Sequence, residues 1–305
     1  MNRLWIVLAV LLCSFESSAA PQAVAVRMRH VMLHLGYGAE LYIDDLRGRL
    51  DSKTDQPPTF DDIKSYVVQL DYGKVDVTPD SLTNLMNRYV FAKESAPIKK
   101  IAMSIEGQEL VQTGVLKKGV SVPFKMHASV SVNSDGRLRI HPTSLKAAGF
   151  VSKRVLDFFG LELERLVSTK DTPGVAIDGD DLLLNPEQML PPPQIRGRLS
   201  KAWIENGRLA LQFGDPSARG LDTAVRAANF MYYRGGVLRF GRLTMNDADL
   251  LLLDDDPSDP FDFDPVHYND QLVAGYSKNT KIGGLIVHMP DAKKVQKGSK
   301  ATATQ

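Results

Sequence analysis

"VSVPFKMHASVSVNSDGRLRIHP" (residues 120–142) carries an apolar side chain at every second position from Val120 to Val132, with Ser, Pro, Lys and His between them. A period of two puts alternate side chains on one face of a pleated strand. The stretch Asn133 to Arg137 then reads as a turn, and the alternation restarts at Leu138 and Ile140. The segment is therefore a hairpin with one apolar face. Pro123 has no N–H to give a ladder, so its strand is expected at a sheet edge, or the proline at a bulge. Periodicity leaves open what covers that face, because a closed core and a ligand-lined wall bury the same residue types.

The same pattern recurs on both sides. In "AVAVRMRHVMLHLGYG" (23–38) the alternation runs through Val24, Val26 and Met28, then through Val31, Leu33 and Leu35. The parity switch near Arg29–His30 calls for a bulge or a change of face. "AELYIDDLRGRL" (39–50) and "SYVVQLDYGKVDV" (65–77) read as further strands, and Ile101, Met103 and Ile105 begin a meander that returns through "LVQTGVL" (110–116). Beyond residue 180 the chain reads as strand, proline-rich link, a hairpin around Glu205–Asn206–Gly207, and more strands to Met289. The link, Pro191–Pro193, is a stiff connection within one domain.

Two helices interrupt the strands. Thr78 is suited to cap the first, with Pro79 at the first helical position and Asp80 in the first turn. Leu82, Leu85, Met86, Tyr89 and Val90 then make one stripe. A second helical region is expected over residues 144–168, with Leu156, Phe159, Leu163 and Leu166 as its seam, widened by Val155 and Phe158.

Composition narrows the function. The 305 residues hold 37 Lys plus Arg against 36 Asp plus Glu, so no charge excess points to a nucleic acid partner. Residues 1–19 have the layout of a cleaved signal peptide: Arg3, an apolar run from Leu4 to Cys13, then small residues near Ala19. Cys13 is the only cysteine, so the mature chain would hold no disulfide, thiolate nucleophile or cysteine metal site. A periplasmic or secreted single domain over residues 24–290 is expected, followed by a disordered basic tail, 291–305.

Chemical motifs are scarce. "GVLKKGVS" lacks the ending of a phosphate-binding loop, and "GYGAEL" stops after two glycines. His30 and His34 on a strand stand roughly 13 Å apart, too far to share one metal ion, and read as solvent-facing. The run "LDDDPSDPFDFDP" packs Asp254, Asp255, Asp256, Asp259, Asp262 and Asp264 together, but its spacing fails the calcium-loop pattern, so it reads as a solvated acidic loop. No cofactor or metal is expected, and no catalytic signature is present.

At "SLTNLMNRYVF" (81–91), "GVSVPFKMHASVSVNSDGRLRIHPTSLKAAG" (119–149) and "IDGDDLLLNPEQMLPPPQIRGRL" (177–199) the chain resembles an exported bacterial group related to the LmeA-like phospholipid-binding proteins, of the wider tubular lipid-binding (TULIP) class. The likeness spans roughly residues 24–215 and does not extend over 216–290. It implies an α+β fold, a long curved antiparallel sheet wrapped around one or two amphipathic helices, with a groove for acyl chains. On that basis Leu85, Met86, Ile101, Met103, Ile105, Val122, Phe124, Met126, Phe158 and Phe159 are expected to line a lipid groove. The function expected is non-catalytic lipid binding or transfer, with phospholipid or another acyl-chain lipid as partner and peripheral membrane contact. The alternatives are an envelope structural protein with a closed core and, last, an exported hydrolase using carboxylates.

Overall fold

Residues 23–96, 98–118, 120–147, 150–152, 174–221 and 225–296 are described by a computed structural model of the chain. An amino-terminal meander starts the larger of two main sheets: β1 (Val24–Gly36), β2 (Ala39–Ser52) and β3 (Tyr66–Val77), antiparallel neighbours in that order. Their inward side chains alternate as the sequence pattern demands, and Val24, Val26, Val31 and Ile43 are fully or nearly fully buried. A short helix follows, α1 (Pro79–Leu85), capped by Thr78, whose Oγ1 accepts from the Ser81 amide at 3.1 Å. It runs on into a single π-turn, Met86–Val90.

The second sheet begins with β4 (Ile98–Glu106), β5 (Glu109–Lys118), β6 (Val120–Val132) and β7 (Leu138–Ala147), a meander to which β8 (Phe150–Ser152), β9 (Val175–Asp178) and β10 (Asp181–Leu184) are added. The segment quoted at the outset is the β6–β7 hairpin. Its turn is held by Asn133, whose Oδ1 accepts from the amides of Asp135 and Arg137. Phe124 has room because Gly114 stands opposite it on β5: a Cβ there would lie 3.0 Å from the ring.

From α2 (Pro186–Met189) the chain rejoins the first sheet through β11 (Gln194–Arg196), β12 (Leu199–Glu205) and β13 (Arg208–Gly214). The β12–β13 hairpin turns at Asn206 and Gly207, both at positive φ, as a tight two-residue turn needs. The remaining elements are β14 (Phe230–Arg234), the small hairpin β15 (Leu238–Phe240) with β16 (Leu243–Met245), β17 (Asp249–Asp254), β18 (Phe261–Phe263), α3 (Tyr268–Ala274), β19 (Tyr276–Asn279) and β20 (Leu285–Met289). The large sheet runs β12-β13-β3-β2-β1-β14-β17-β20-β19. Its strands β1 and β3 each share one edge between two shorter partners. β1 pairs with β14 up to Arg29 and with β18 from Val31. The parity switch read from the sequence sits between these two pairings, at His30, where φ is 48°.

The architecture corrects the expected one. Strand makes up 56% of the described residues and helix 12%, and every helix among them is short, so this is not a sheet wrapped around long amphipathic helices. Two sheets supply each other's cover instead, with α1 at their junction. Residues 144–147, expected to open a second helix, continue β7, and 150–152 form β8. The expected helical seam from Val155 to Leu166 lies outside the described residues, as does the expected signal peptide. Pro123 is neither on an edge strand nor at a bulge. It precedes Phe124, whose pair with Ala147 is the last β6–β7 pair among the described residues. Residues 292–296 of the expected tail are helical rather than loose.

The large sheet bends where β3 carries an extra residue, Asp71, between the pairs Arg47–Tyr72 and Gly48–Leu70. A Cβ on Gly48 would lie 2.1 Å from the Gln69 carbonyl oxygen, a fixed backbone atom. Gly48→Ala is therefore expected to lower stability by about 1–3 kcal/mol. A thermal melt of the variant that overlays the wild type would rule out this close approach.

Candidate functional site

Between the two sheets lie two adjoining apolar cavities. The first, about 110 Å³, is enclosed mainly by the large sheet, with residues such as Leu41, Ile43, Val75 and Phe263. The second, about 90 Å³, is enclosed mainly by the small sheet, with Met103, Phe124, Met126 and Ile140. Leu82, Met86, Leu138, Leu184, Met189 and Leu209 line both. These six walls come from α1 and its π-turn, β7, β10, α2 and β13. An apolar cavity of this order stays dry, and a 150 Å³ engineered one takes up benzene.

Local sequence rules place these walls. The 3.6-residue stripe of α1 turns Leu82, Leu85 and Met86 inward. The π-turn, closed by the Phe91 amide on the Met86 carbonyl at 2.8 Å, inserts an extra residue and brings Phe91 onto the second cavity. Methionine's unbranched, flexible side chain lets Met86, Met103, Met126 and Met189 follow an irregular space.

The residues expected to line a groove divide. Leu85 lines the first cavity, Met86 lines both, and Met103, Phe124 and Met126 line the second. Ile101 is buried, and Ile105 and Val122 are half-buried against the same core, yet none of the three lines either cavity. Phe158 and Phe159 lie outside the described residues. The wall is also not an open groove: Phe124 is 5% exposed and Met126 3%. Sequence reasoning missed four of the shared walls, Leu138, Leu184, Met189 and Leu209. Leu138 and Leu209 had the signal of inward alternation, whereas Leu184, in a run of three leucines, and Met189, in a four-residue helix, had none.

The acidic run corrects a second expectation. Asp254, Asp262 and Asp264 are buried, not solvated. Asp254 accepts from Asn229 Nδ2 at 3.0 Å and from the Asp256 amide at 2.9 Å. Burial pushes its carboxyl up to about 6, with the neighbouring Asp291 and Asp259 adding to the rise. Asp254, Asp259 and Asp291 bring carboxylate oxygens within 4.8 Å of one another. Asp291 is engaged by protein donors as well, the Asp262 amide at 3.1 Å and Lys294 at 2.9 Å.

His34, expected to face solvent, is half-buried, and its Nε2 is hydrogen-bonded to Asp262 on β18. Lys293, in the carboxy-terminal helical turn, reaches both Glu40, at 3.2 Å, and Asp262, at 3.7 Å. Glu40 lines the first cavity, so this polar cluster fastens the chain's last described segment beside it. Burial alone would depress His34, but the hydrogen bond to Asp262 and the charges of Asp262, Glu40 and Asp264 outweigh it, and the pKa is raised above 6.5. Burial likewise opposes Asp262, which His34 and Lys293 nevertheless hold below 3.8.

No protein-family model, curated protein or solved structure matches the chain.

The His34–Asp262 pair has a definite pH signature. A histidine whose folded pKa is raised adds stability that is complete below the unfolded value, near 6.5, and fades as pH climbs through the folded value. Asp262, lowered, contributes above 3.8 and stops contributing as pH falls through its folded value. The stability of the wild type relative to His34→Gln should therefore fall as pH rises from about 6 to about 8. Urea unfolding midpoints at both pH values check this, and a constant difference would show that the pair does not charge as described.

Proposed function

We propose that the protein is a non-catalytic lipid-binding protein of the bacterial envelope that holds one acyl chain in the paired cavities. The observation that carries this reading is that two apolar spaces adjoin across six shared lining residues. A core packed only for stability closes such spaces, because each unfilled volume forfeits contacts. An acyl chain entering them leaves water at about 0.8 kcal/mol per buried methylene. Volumes of about 110 and 90 Å³, against 150 Å³ for a cavity that takes up benzene, leave room for a short stretch of one chain and not for two tails side by side. Likeness to phospholipid-binding proteins in short phrases, and the leader-like first 19 residues, favour the same class and an exported location.

Loading such a ligand needs contact with a membrane, and one surface is suited to it. Val273 and Ile282 are 86% and 81% exposed, and in sequence Lys278 and Lys281 occur with them in a stretch, Gln271 to Pro290, that holds no acidic residue. Aliphatic side chains flanked by lysines fit an anionic bilayer surface. No helix among the described residues is long and apolar enough to cross a membrane.

Two measurements test these statements. Leu138, which lines both cavities, is the place to block a chain. Leu138→Trp would displace about two methylenes, so uptake of a fluorescent acyl-chain probe should weaken roughly tenfold while circular dichroism stays native. Undiminished uptake would put the ligand elsewhere, and a wild type that takes up nothing would favour the closed-core structural protein. Separately, the wild type should sediment with phosphatidylglycerol vesicles in low salt, and Val273→Asp with Ile282→Asp should leave it in the supernatant. Equal sedimentation of both proteins would remove the docking surface.

A further inference from the structure

The first cavity is not uniformly apolar. Tyr66 on β3 and Tyr233 on β14 both line it, 5% and 2% exposed. Neither phenol hydroxyl has a hydrogen-bond partner among the described residues, whereas those of Tyr232 and Tyr268, equally buried side chains, are bonded to Asp249 and Asp61. A buried hydroxyl left unbonded costs about 1–3 kcal/mol, and buried tyrosines normally find a partner. Both side chains are otherwise well fixed: Phe60 packs edge-on against the Tyr233 ring at 5.2 Å. A phenylalanine at either position would fill the same space without the cost.

We propose that Tyr66 and Tyr233 form the polar end of the first cavity and select a chain-like lipid whose head is neutral and hydrogen-bonding, a hydroxyl or a carbonyl. This rests on the proposed binding of an acyl chain and specifies the ligand for that site. The neutrality follows from the surroundings. No Lys, Arg or His among the described residues lines the cavity, and its one acidic residue, Glu40, is paired with Lys293. A phosphate or ionised carboxylate placed there would be a buried charge without a counter-ion, which is strongly unfavourable. The phenols cannot serve as the missing charge of either sign. Burial, first, and for Tyr66 also the charge of Asp62 and the nearby Tyr268, holds both protonated far above neutral pH. A protonated phenol donates to a carbonyl, and both donates to and accepts from a hydroxyl. Sites built to bond a ligand hydroxyl discriminate against the analogue lacking it, because their own polar groups are then left unpaired.

The experiment is displacement of the fluorescent acyl-chain probe from the full-length protein by dodecanol, dodecane and, at pH 8, dodecanoate, with wild type, Tyr66→Phe, Tyr233→Phe and the double variant. Dodecanol is expected to displace the probe from wild type at a concentration roughly tenfold below that of dodecane, and dodecanoate to be the weaker of the two polar compounds. In the double variant dodecanol should fall to the level of dodecane, with dodecane itself unchanged and circular dichroism native. If the double variant does not fold, the single variants carry the test, each expected to lose part of the preference. A preference for dodecanol that survives the loss of both hydroxyls, or dodecanoate as effective as dodecanol, overturns the proposal. Equal displacement by dodecane and dodecanol from wild type overturns it too, but leaves the acyl-chain reading standing. A wild type that binds no probe at all overturns both.

Discussion

One short helical segment, α1 with its π-turn, joins the two sheets. Asn87 Oδ1 accepts from the Ile101 amide at 3.0 Å, and its Nδ2 donates to the carbonyl of the same residue at 2.6 Å. Thr83 Oγ1 takes the next inward-facing amide, that of Met103, at 2.9 Å. Together they occupy backbone groups of β4 that an uncovered edge strand would otherwise present to other chains. The opposite side of the same helical segment holds the large sheet: Ser81 Oγ accepts from the Glu40 amide and Asn84 donates to the Gly38 carbonyl. With its polar side chains committed to two strand edges, the segment has its apolar stripe aimed at the space between the sheets. The cavities, their common walls and the separation of the sheets all follow from that placement.

The cavities persist because neither sheet can collapse onto the other. The large sheet is bent at the Asp71 bulge, where glycines let backbones approach, and the small one is held off by α1. The lining is apolar but not stiff. Methionines from six separate segments line it, Met28, Met86, Met103, Met126, Met189 and Met231, and such flexible side chains adapt to an irregular space. The exceptions to this apolar lining are Glu40, Ser81 and the two tyrosines in the first cavity and Gln112 in the second. The interior thus combines adaptable apolar walls with a few polar groups, the usual composition of a small-molecule pocket.

One cluster of charge lies beside the same space. Asp262 accepts from His34 and lies beside Lys293, while Glu40 shares that lysine. The amide of Asp262 is in turn bonded to Asp291. These contacts link β1, β2, β18 and the last described helical turn in one network. Buried carboxylates need such partners, since the desolvation penalty of each is large and only close opposite charge and hydrogen bonds offset it.

By itself the sequence determined what is local. The alternation of Val24 to Leu35 and of Val120 to Val132, the parity switch at His30, the Thr78 cap and the Asn206–Gly207 turn were all legible, because each depends on neighbours within a few residues. Five of the expected lining residues, Leu85, Met86, Met103, Phe124 and Met126, do lie on the cavities, since inward periodicity marks them as buried. What they face was decided only by the tertiary structure. Leu138 and Leu209 become two walls of one space through the packing of separate sheets, and no local pattern encodes that distance. The acidic run shows the same limit most clearly. Asp262 reads as solvated because its partner His34 lies 228 positions away in the chain, and only the parallel pairing of β1 with β18 brings the two together.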